Sequence, residues 1–167
     1  MKKVLCLLLC LLMLLPLLGC QEESGYQRPL TFYYPVKDIG YAPTDICIGG
    51  ETREGIVFES FTQQLQAYLQ GPVSEDLSHP FPKNVRVVHS LLEDHRLYLT
   101  LSDELSVLTG LSLTLACCCI AKTTMEWTNA TEVHISAAST LLGGEKTLVF
   151  TAENMNMLDT VTDPVTD

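Results

Sequence analysis

Residues 85–101 read VRVVHSLLEDHRLYLTL, and this stretch decides the fold. Two segments rich in β-branched and aliphatic residues, 85–91 and 96–101, flank the polar residues 93–95. In the second segment Leu97, Leu99 and Leu101 alternate with other residues, so they share one face of a strand. We therefore predict a β-hairpin whose second strand faces the core.

The residues that follow the hairpin predict a helix and two further strands. Ser102 suits a helix N-cap, and the acidic residues 103–104 suit the positive end of a helix dipole. Residues 105–122 are almost all apolar or small, which predicts a buried helix. Residues 131–137 alternate as a core strand does, and residues 147–150 predict an edge strand.

The residues before the hairpin predict one strand and one helix. Residues 30–35 (LTFYYP) are aromatic and β-prone, and a proline closes them. Residues 37–55 predict a loop with a short strand around 46–48, and both glycine pairs, at 49–50 and 143–144, are interpreted as turns. A helical apolar face ending at a Gly-Pro pair is formed by Phe58, Phe61, Leu65, Tyr68 and Leu69.

The predicted order is strand, helix, strand, strand, helix, strand. We therefore predict the α+β class, with a single βαββαβ domain in residues 30–153. Its strands are expected in one mixed sheet with two helices on one face. Residues 154–167 are polar and acidic, which predicts a disordered tail.

The N-terminus has the features of a lipoprotein signal peptide. Lys2 and Lys3 precede an apolar, Leu-rich segment that is too short for a comfortable membrane span. It ends Leu17-Leu18-Gly19-Cys20, which resembles the lipobox of bacterial lipoproteins. The resemblance implies removal of residues 1–19 and lipidation of Cys20 with acyl chains such as palmitate. The polar composition after Cys20, with a glycine and a proline, predicts a tether in residues 20–29. An ordinary cleaved signal peptide and an uncleaved anchor are the alternatives.

The charge balance excludes two classes of partner. Only two of the 10 basic residues, Lys2 and Lys3, precede position 20, so the remainder has eight basic and 20 acidic residues, a formal charge of −12. Nucleic acids and anionic lipid surfaces both require clustered cations. Membrane attachment is therefore expected to come from acylated Cys20, at the extracytoplasmic face of the cell membrane.

Several segments together resemble a GerMN domain, a module of sporulation and spore germination. The strongest match is the helix end LQAYLQGP (residues 65–72), followed by FPKNV (residues 81–85) and the strand end LTLS (residues 99–102). The helix end at 120–124 and residues 132–135 complete it. The resemblance covers about residues 30–142 and departs from the family at His95, where a glycine is usual. It implies a tethered βαββαβ domain without known catalytic residues.

The histidines and cysteines do not form a recognisable catalytic or metal motif. His79, His89, His95 and His134 lack the close spacing of a zinc site, and His89 and His95 are interpreted as exposed polar residues near the turn. Three consecutive helical residues point about 100° apart, so Cys117-Cys118-Cys119 are interpreted as small buried side chains. Pairing of one of them with Cys47 is the alternative. We therefore expect no metal and no cofactor.

Three functions are compatible with this sequence. The preferred one is a non-enzymatic interaction module for envelope, sporulation or germination complexes. It would bind a protein partner, another copy of the chain or a cell-wall polymer through a sheet edge or a helix face. The second is a hydrolase of envelope material that uses His79, His89 or His134. The third is a ligand carrier, which requires a large apolar cavity.

Overall fold

The computed structural model describes residues 29–37, 47–53 and 60–159. The predicted signal peptide, Cys20 and the tether up to residue 28 lie outside the described residues. Within the described ranges, no helix combines the length and the apolar character that crossing a membrane requires.

The described residues form a mixed α+β domain, which confirms the predicted class. Its elements in chain order are β1 (Leu30–Pro35), β2 (Ile48–Arg53), α1 (Phe61–Tyr68), β3 (Val87–Glu93), β4 (Arg96–Leu101), a 3₁₀ helix (Asp103–Val107), α2 (Gly110–Thr128), β5 (Glu132–Ala137), β6 (Leu148–Thr151) and α3 (Ala152–Asp159).

The larger sheet has four strands in the order β3-β4-β5-β6. The β4 and β5 strands are parallel, and the other two pairs are antiparallel. Leu97, Leu99 and Leu101 are at most 1% exposed, and Val133 and Ile135 beside them are fully buried. The leucine alternation in the sequence therefore correctly identified the core face of this sheet.

The prediction of one sheet is wrong, because β1 and β2 form a separate antiparallel pair. Side chains of α2 occupy the edge of β1 at which a further strand would pair. The Tyr33 N–H donates to Thr123 Oγ1 at 2.9 Å, and the Trp127 indole N–H donates to the Thr31 carbonyl at 2.8 Å. These bonds satisfy the backbone of β1 and keep it out of the larger sheet.

The Gly49–Gly50 pair lies inside β2 and not in a turn, so this interpretation was also wrong. A Cβ on Gly50 would lie 3.1 Å from the Tyr33 ring, and one on Gly49 would lie 2.9 Å from Leu77. The two glycines therefore allow neighbouring side chains to pack closely on the strand. The pair at 143–144 does form a turn, with φ of 60° and 93°.

The first helix matches its prediction. The Ser60 side chain accepts a hydrogen bond from the Gln63 N–H, which caps the N-terminus of α1. Leu65 and Tyr68 on the predicted apolar face are buried, and Gly71 has a φ of 101° just beyond the helix end. Phe58, which the pattern also placed on this face, lies outside the described residues.

The second helix starts later than predicted and ends later. Residues 103–107 form the 3₁₀ helix, Leu108 is extended, and α2 begins at Gly110. The Asp103 carboxylate accepts hydrogen bonds from the backbone N–H groups of Ser139 and Thr140, at 2.8 and 3.1 Å. It therefore joins the chain after β4 to the loop after β5.

Residues 154–159 were predicted as the start of a disordered tail, but in the structure they belong to α3. Thr151 and Asn154 cap this helix reciprocally. The Thr151 N–H donates to Asn154 Oδ1 at 2.9 Å, and the Asn154 N–H donates to Thr151 Oγ1 at 3.4 Å. Met155 packs against the core. Residues 160–167 lie outside the described residues.

The two sheets and α2 enclose an aromatic core. The Tyr34 and Tyr68 rings stack at 4.9 Å, and both residues are fully buried. The Tyr34 hydroxyl donates to the Tyr68 carbonyl, and the Tyr68 hydroxyl donates to the Tyr33 carbonyl, both at 2.8 Å. Burial raises the pKa of both phenols. Phe32 and Tyr34 therefore belong to the core.

An ion pair on β2 joins the smaller sheet to the turn after α1. Arg53 pairs with Glu51, and its guanidinium lies 4.2 Å above the Phe32 ring. The Glu51 carboxylate also accepts the Val73 N–H at 3.0 Å and the Ser74 N–H at 2.9 Å. Burial alone would raise the pKa of Glu51, but these hydrogen bonds and Arg53 outweigh burial and lower it.

Candidate functional site

The edge strand β3 exposes large apolar side chains. It pairs with β4 on one side, at the end of the four-stranded sheet. Val88, Leu91 and Leu92 are 54%, 46% and 49% exposed. The pairing register shifts between Val87 and His89, as it does at a β-bulge. An exposed apolar edge strand is a surface to which an extended segment of another protein can add.

The turn at residues 94–95 determines which backbone groups of β3 face outward. Both turn residues have positive φ, 48° and 61°, as a type I′ hairpin requires. Such a turn makes Glu93 and Arg96 a hydrogen-bonded pair, and the pairs alternate from there along the strand. The backbone N–H and C=O groups of Leu92 and Ser90 therefore point away from β4.

Helix α1 lies against the first half of β3. The Gln66 side chain accepts the Val87 N–H at 3.0 Å and donates to the Val85 carbonyl at 3.3 Å. Further along, the Thr62 and Ser90 hydroxyls are 3.2 Å apart. The first turn of α1 therefore lies beside Ser90, and the helix itself does not run along the last residues of β3.

An apolar groove of about 410 Å³ lies beside those last residues. Leu97 is 1% exposed and forms its floor, and Phe61 and Trp127 meet edge-on with ring centroids 6.4 Å apart. Leu92 also lines the groove. The only polar atom of the indole ring already donates to the Thr31 carbonyl, so the ring offers an apolar surface to a ligand.

Two acidic residues are sequence neighbours of residues that line this groove. Glu93 follows Leu92, and Glu126 precedes Trp127 along the chain. The Glu126 carboxylate accepts a hydrogen bond from the Tyr33 hydroxyl at 2.7 Å. Together, the edge of β3 at residues 88–92 and this groove make up what we call the edge site.

A row of side chains crosses the outer face of the four-stranded sheet. Leu91, Tyr98, His134 and Val149 are register partners in one row across all four strands. The Tyr98 and His134 rings stack at 4.7 Å. The row continues the apolar surface of Leu91 across the sheet.

His134 is the histidine that comes closest to a catalytic arrangement. Its Nε2 lies 2.5 Å from Glu132 Oε1, but the contact lacks the geometry of an aligned hydrogen bond. Both residues lie on the outer sheet face, and neither lines the grooves described for this domain. A general acid or base requires a site that holds substrate next to it. The arrangement therefore provides no support for the hydrolase alternative.

The other three histidines lie apart from one another. His89 pairs with Thr100, whereas His95 occupies the turn, so they do not face each other across the hairpin. His79 lies on the loop after α1 and accepts the Phe81 N–H on Nδ1 at 3.2 Å. In the part of the chain that the structure describes, no group of three or more His, Cys, Asp or Glu side chains could hold a metal ion.

Cys117, Cys118 and Cys119 are buried in α2, as the sequence predicted. Burial first, and the neighbouring Cys118 second, raise the pKa of the Cys117 thiol to about 12. A thiol in that state is a poor nucleophile at neutral pH.

Comparison with known proteins supports the fold. No protein-family model matches the sequence, and no curated protein matches it either. Among solved structures, the tandem GerMN domains of the Bacillus subtilis sporulation protein GerM align with a TM-score of 0.53 at 17% identity. The alignment covers 72% of this chain and 43% of that chain.

A candidate lipoprotein from Clostridium perfringens aligns with a TM-score of 0.49 at 20% identity, covering 77% of this chain and 89% of that one. The chain therefore has a GerMN-like α+β fold, as its sequence resemblance implied. At this identity the likeness defines the fold and leaves the role of the domain to be argued from its surfaces.

The sequence predicted a sheet edge or a helix face as a binding surface, without the composition of a site. It predicted binding through a sheet edge, yet it did not single out Trp127 or Phe61 beside Leu92. These residues come from the end of α2 and the start of α1, which the fold brings to the same strand. The sequence of β3 carried a signal for this exposure, because VVHSLL contains two pairs of adjacent apolar residues. Adjacent residues of a strand point to opposite faces, so the two members of a pair cannot both be buried on one face.

Proposed function

We propose that this chain is a lipoprotein held at the extracytoplasmic face of the cell membrane, and that its GerMN-like domain binds a protein partner without catalysis. Binding of this kind would serve assembly of envelope, sporulation or germination complexes. The observation that carries the proposal is the edge site, a half-exposed apolar strand end beside an apolar groove. A strand from a partner would pair with the backbone of β3 and insert side chains beside Trp127.

Charge favours a different protein over a second copy as the partner. The chain has 20 acidic and 10 basic residues, so two copies repel each other. The excess of acidic residues over basic ones suits a partner whose binding segment carries Lys or Arg beside its apolar residues.

Photo-crosslinking tests the edge site. A photoreactive amino acid at Leu92 in cells should give a specific protein adduct. The same group at Val107, which is 71% exposed on the 3₁₀ helix, serves as the control. An adduct with a second copy of the chain, or equal labelling from both positions, would contradict the proposal.

A charge in the edge site gives an independent test. Leu91→Lys should abolish the adduct without unfolding the domain, because this side chain is 46% exposed. Val73→Lys, at a position 79% exposed outside the edge site, should leave it unchanged. A Leu91→Lys variant that still forms the adduct would rule out this edge.

Membrane anchoring is tested separately. Cell fractionation should find the chain in the membrane pellet, and Cys20→Ala should release it, because acyl chains supply about 0.8 kcal/mol for each buried CH₂ group. Cys47→Ala is the matched control. If Cys20→Ala stayed in the pellet, lipidation of Cys20 would not be the anchor.

A further inference from the structure

A second groove, of about 770 Å³, lies between the end of α1 and the loop that leads into β3. Its volume is within the range of small-molecule sites, about 300–1,000 Å³. It is separate from the edge site, and none of the described residues that line it is acidic. The polar residues that line it are Gln66, Gln70, His79, Lys83, Asn84 and Arg86.

The positive charge in this groove is unusual for such an acidic chain. Lys83 and Arg86 are exposed and three residues apart, and both line the groove. Three other cations in the described part have contacts elsewhere: Arg53 with Glu51, Arg96 with Glu132, and Lys122 over the Tyr33 ring. Arg86 also acts at longer range on Glu104, whose pKa is lowered mainly by a hydrogen bond from Ser102 and to a lesser extent by Arg86.

Internal contacts orient several polar groups of the groove. The Phe81 N–H donates to His79 Nδ1, so the neutral imidazole carries its proton on Nε2 as a donor. The His79 ring packs on Gly71, where an added Cβ would lie 2.1 Å from Cδ2. The Gln66 amide is held by the backbone at Val85 and Val87. Such preorganised groups lose little entropy when a ligand binds.

The turn at residues 82–85 presents the remaining polar groups. The Val85 N–H bonds to the Pro82 carbonyl at 3.4 Å, and Asn84 has a φ of 65°. A positive φ at the third residue is typical of a type II turn, in which the second and third residues form the tip. Lys83 and Asn84 are therefore displayed together beside the groove.

We propose that this groove binds an anionic sugar or polyol polymer. The cationic groups of Lys83 and Arg86 would pair with its phosphates or carboxylates. The side-chain amides of Gln70 and Asn84 both donate and accept, which suits hydroxyl groups. Phosphate and carboxylate polymers share this chemistry. The inference does not rest on the edge site, since the two surfaces lie at different ends of α1.

Calorimetric titration of the full chain, purified in detergent, tests the groove with four probes. The probes are an oligomer of glycerol phosphate, an oligogalacturonate, a neutral N-acetylglucosamine oligomer and hexaglutamate. We expect binding of one or both of the first two, and which of them binds identifies the anion. Equal or tighter binding of hexaglutamate would make the groove a peptide site. Equal binding of the neutral oligomer would remove the role of charge, and no binding of either anionic polymer would refute the proposal.

The variant Lys83→Gln/Arg86→Gln should weaken binding about tenfold or more, as the loss of two charge-assisted contacts at an exposed site implies. The control Lys37→Gln/Lys146→Gln makes the same change in net charge at exposed positions outside the groove and should bind as the wild type does. Equal weakening in both variants would show a general charge effect and overturn the assignment. Circular dichroism of both variants shows whether they are folded.

Discussion

Replacement of Arg53 by Met removes one partner of a nearly buried ion pair. It leaves an apolar side chain of similar length to pack against the Phe32 ring. The side chains of Arg53 and Glu51 are 16% and 11% exposed. Arg53 also donates to the Gly71 carbonyl at 2.9 Å. The substitution therefore leaves a carboxylate and a carbonyl without their cationic donor, at the junction between β2 and the turn after α1.

The expected loss of stability depends on the hydrogen bonds that Glu51 retains. Loss of one partner from a fully buried pair costs about 3–5 kcal/mol. Glu51 keeps the Val73 and Ser74 N–H donors, so we expect Arg53→Met to lower the free energy of unfolding by about 2–3 kcal/mol. At about 2–4 °C for each kcal/mol, Tm should fall by about 4–12 °C.

Urea unfolding followed by circular dichroism measures this loss. The control is Arg96→Met, because the pair between Arg96 and Glu132 is 3.5 Å long and its side chains are 54% and 29% exposed. Exposed pairs contribute about 0–1 kcal/mol, so this variant should change stability little. A loss of under about 1 kcal/mol for Arg53→Met would show that the Glu51 pair behaves as a surface pair, and the reasoning would be refuted.

Two further predictions concern pH and a glycine. The pKa of Glu51 is lower in the folded chain than its ordinary value of 4.5, so its stabilisation is present above that value and is lost as pH falls through the folded pKa. Glu51→Gln should therefore lose less stability than the wild type between pH 6 and pH 3 in urea titrations, and parallel curves would contradict this. Gly71→Ala should lower the free energy of unfolding by about 2–4 kcal/mol, because Gly71 has a φ of 101° and the added Cβ would lie 2.1 Å from His79. Gly144→Ala has a φ of 93° with open space around the Cβ, and should cost only about 1 kcal/mol, so equal losses would show that the contact with His79 is unimportant.

The sequence by itself determined the elements whose pattern is local. The leucine alternation in 96–101 fixed the core face of β4, and the small apolar residues of 105–122 indicated the buried helix. The αL conformation of His95 shows that a two-residue hairpin can form without the usual glycine, at a modest backbone cost. Such features depend on residues close in the chain, so their signal survives without tertiary context.

Tertiary structure alone decided how the sheets divide and where the surfaces lie. The edge of β1 is satisfied by Thr123 and Trp127, which are about 90 residues away in sequence, and no periodicity within 30–35 encodes that contact. The edge site likewise joins Phe61, Leu92 and Trp127 from three separate elements. Hydrogen bonds and apolar contacts between distant segments depend on how those elements pack, and that packing is set by burial summed over the whole core.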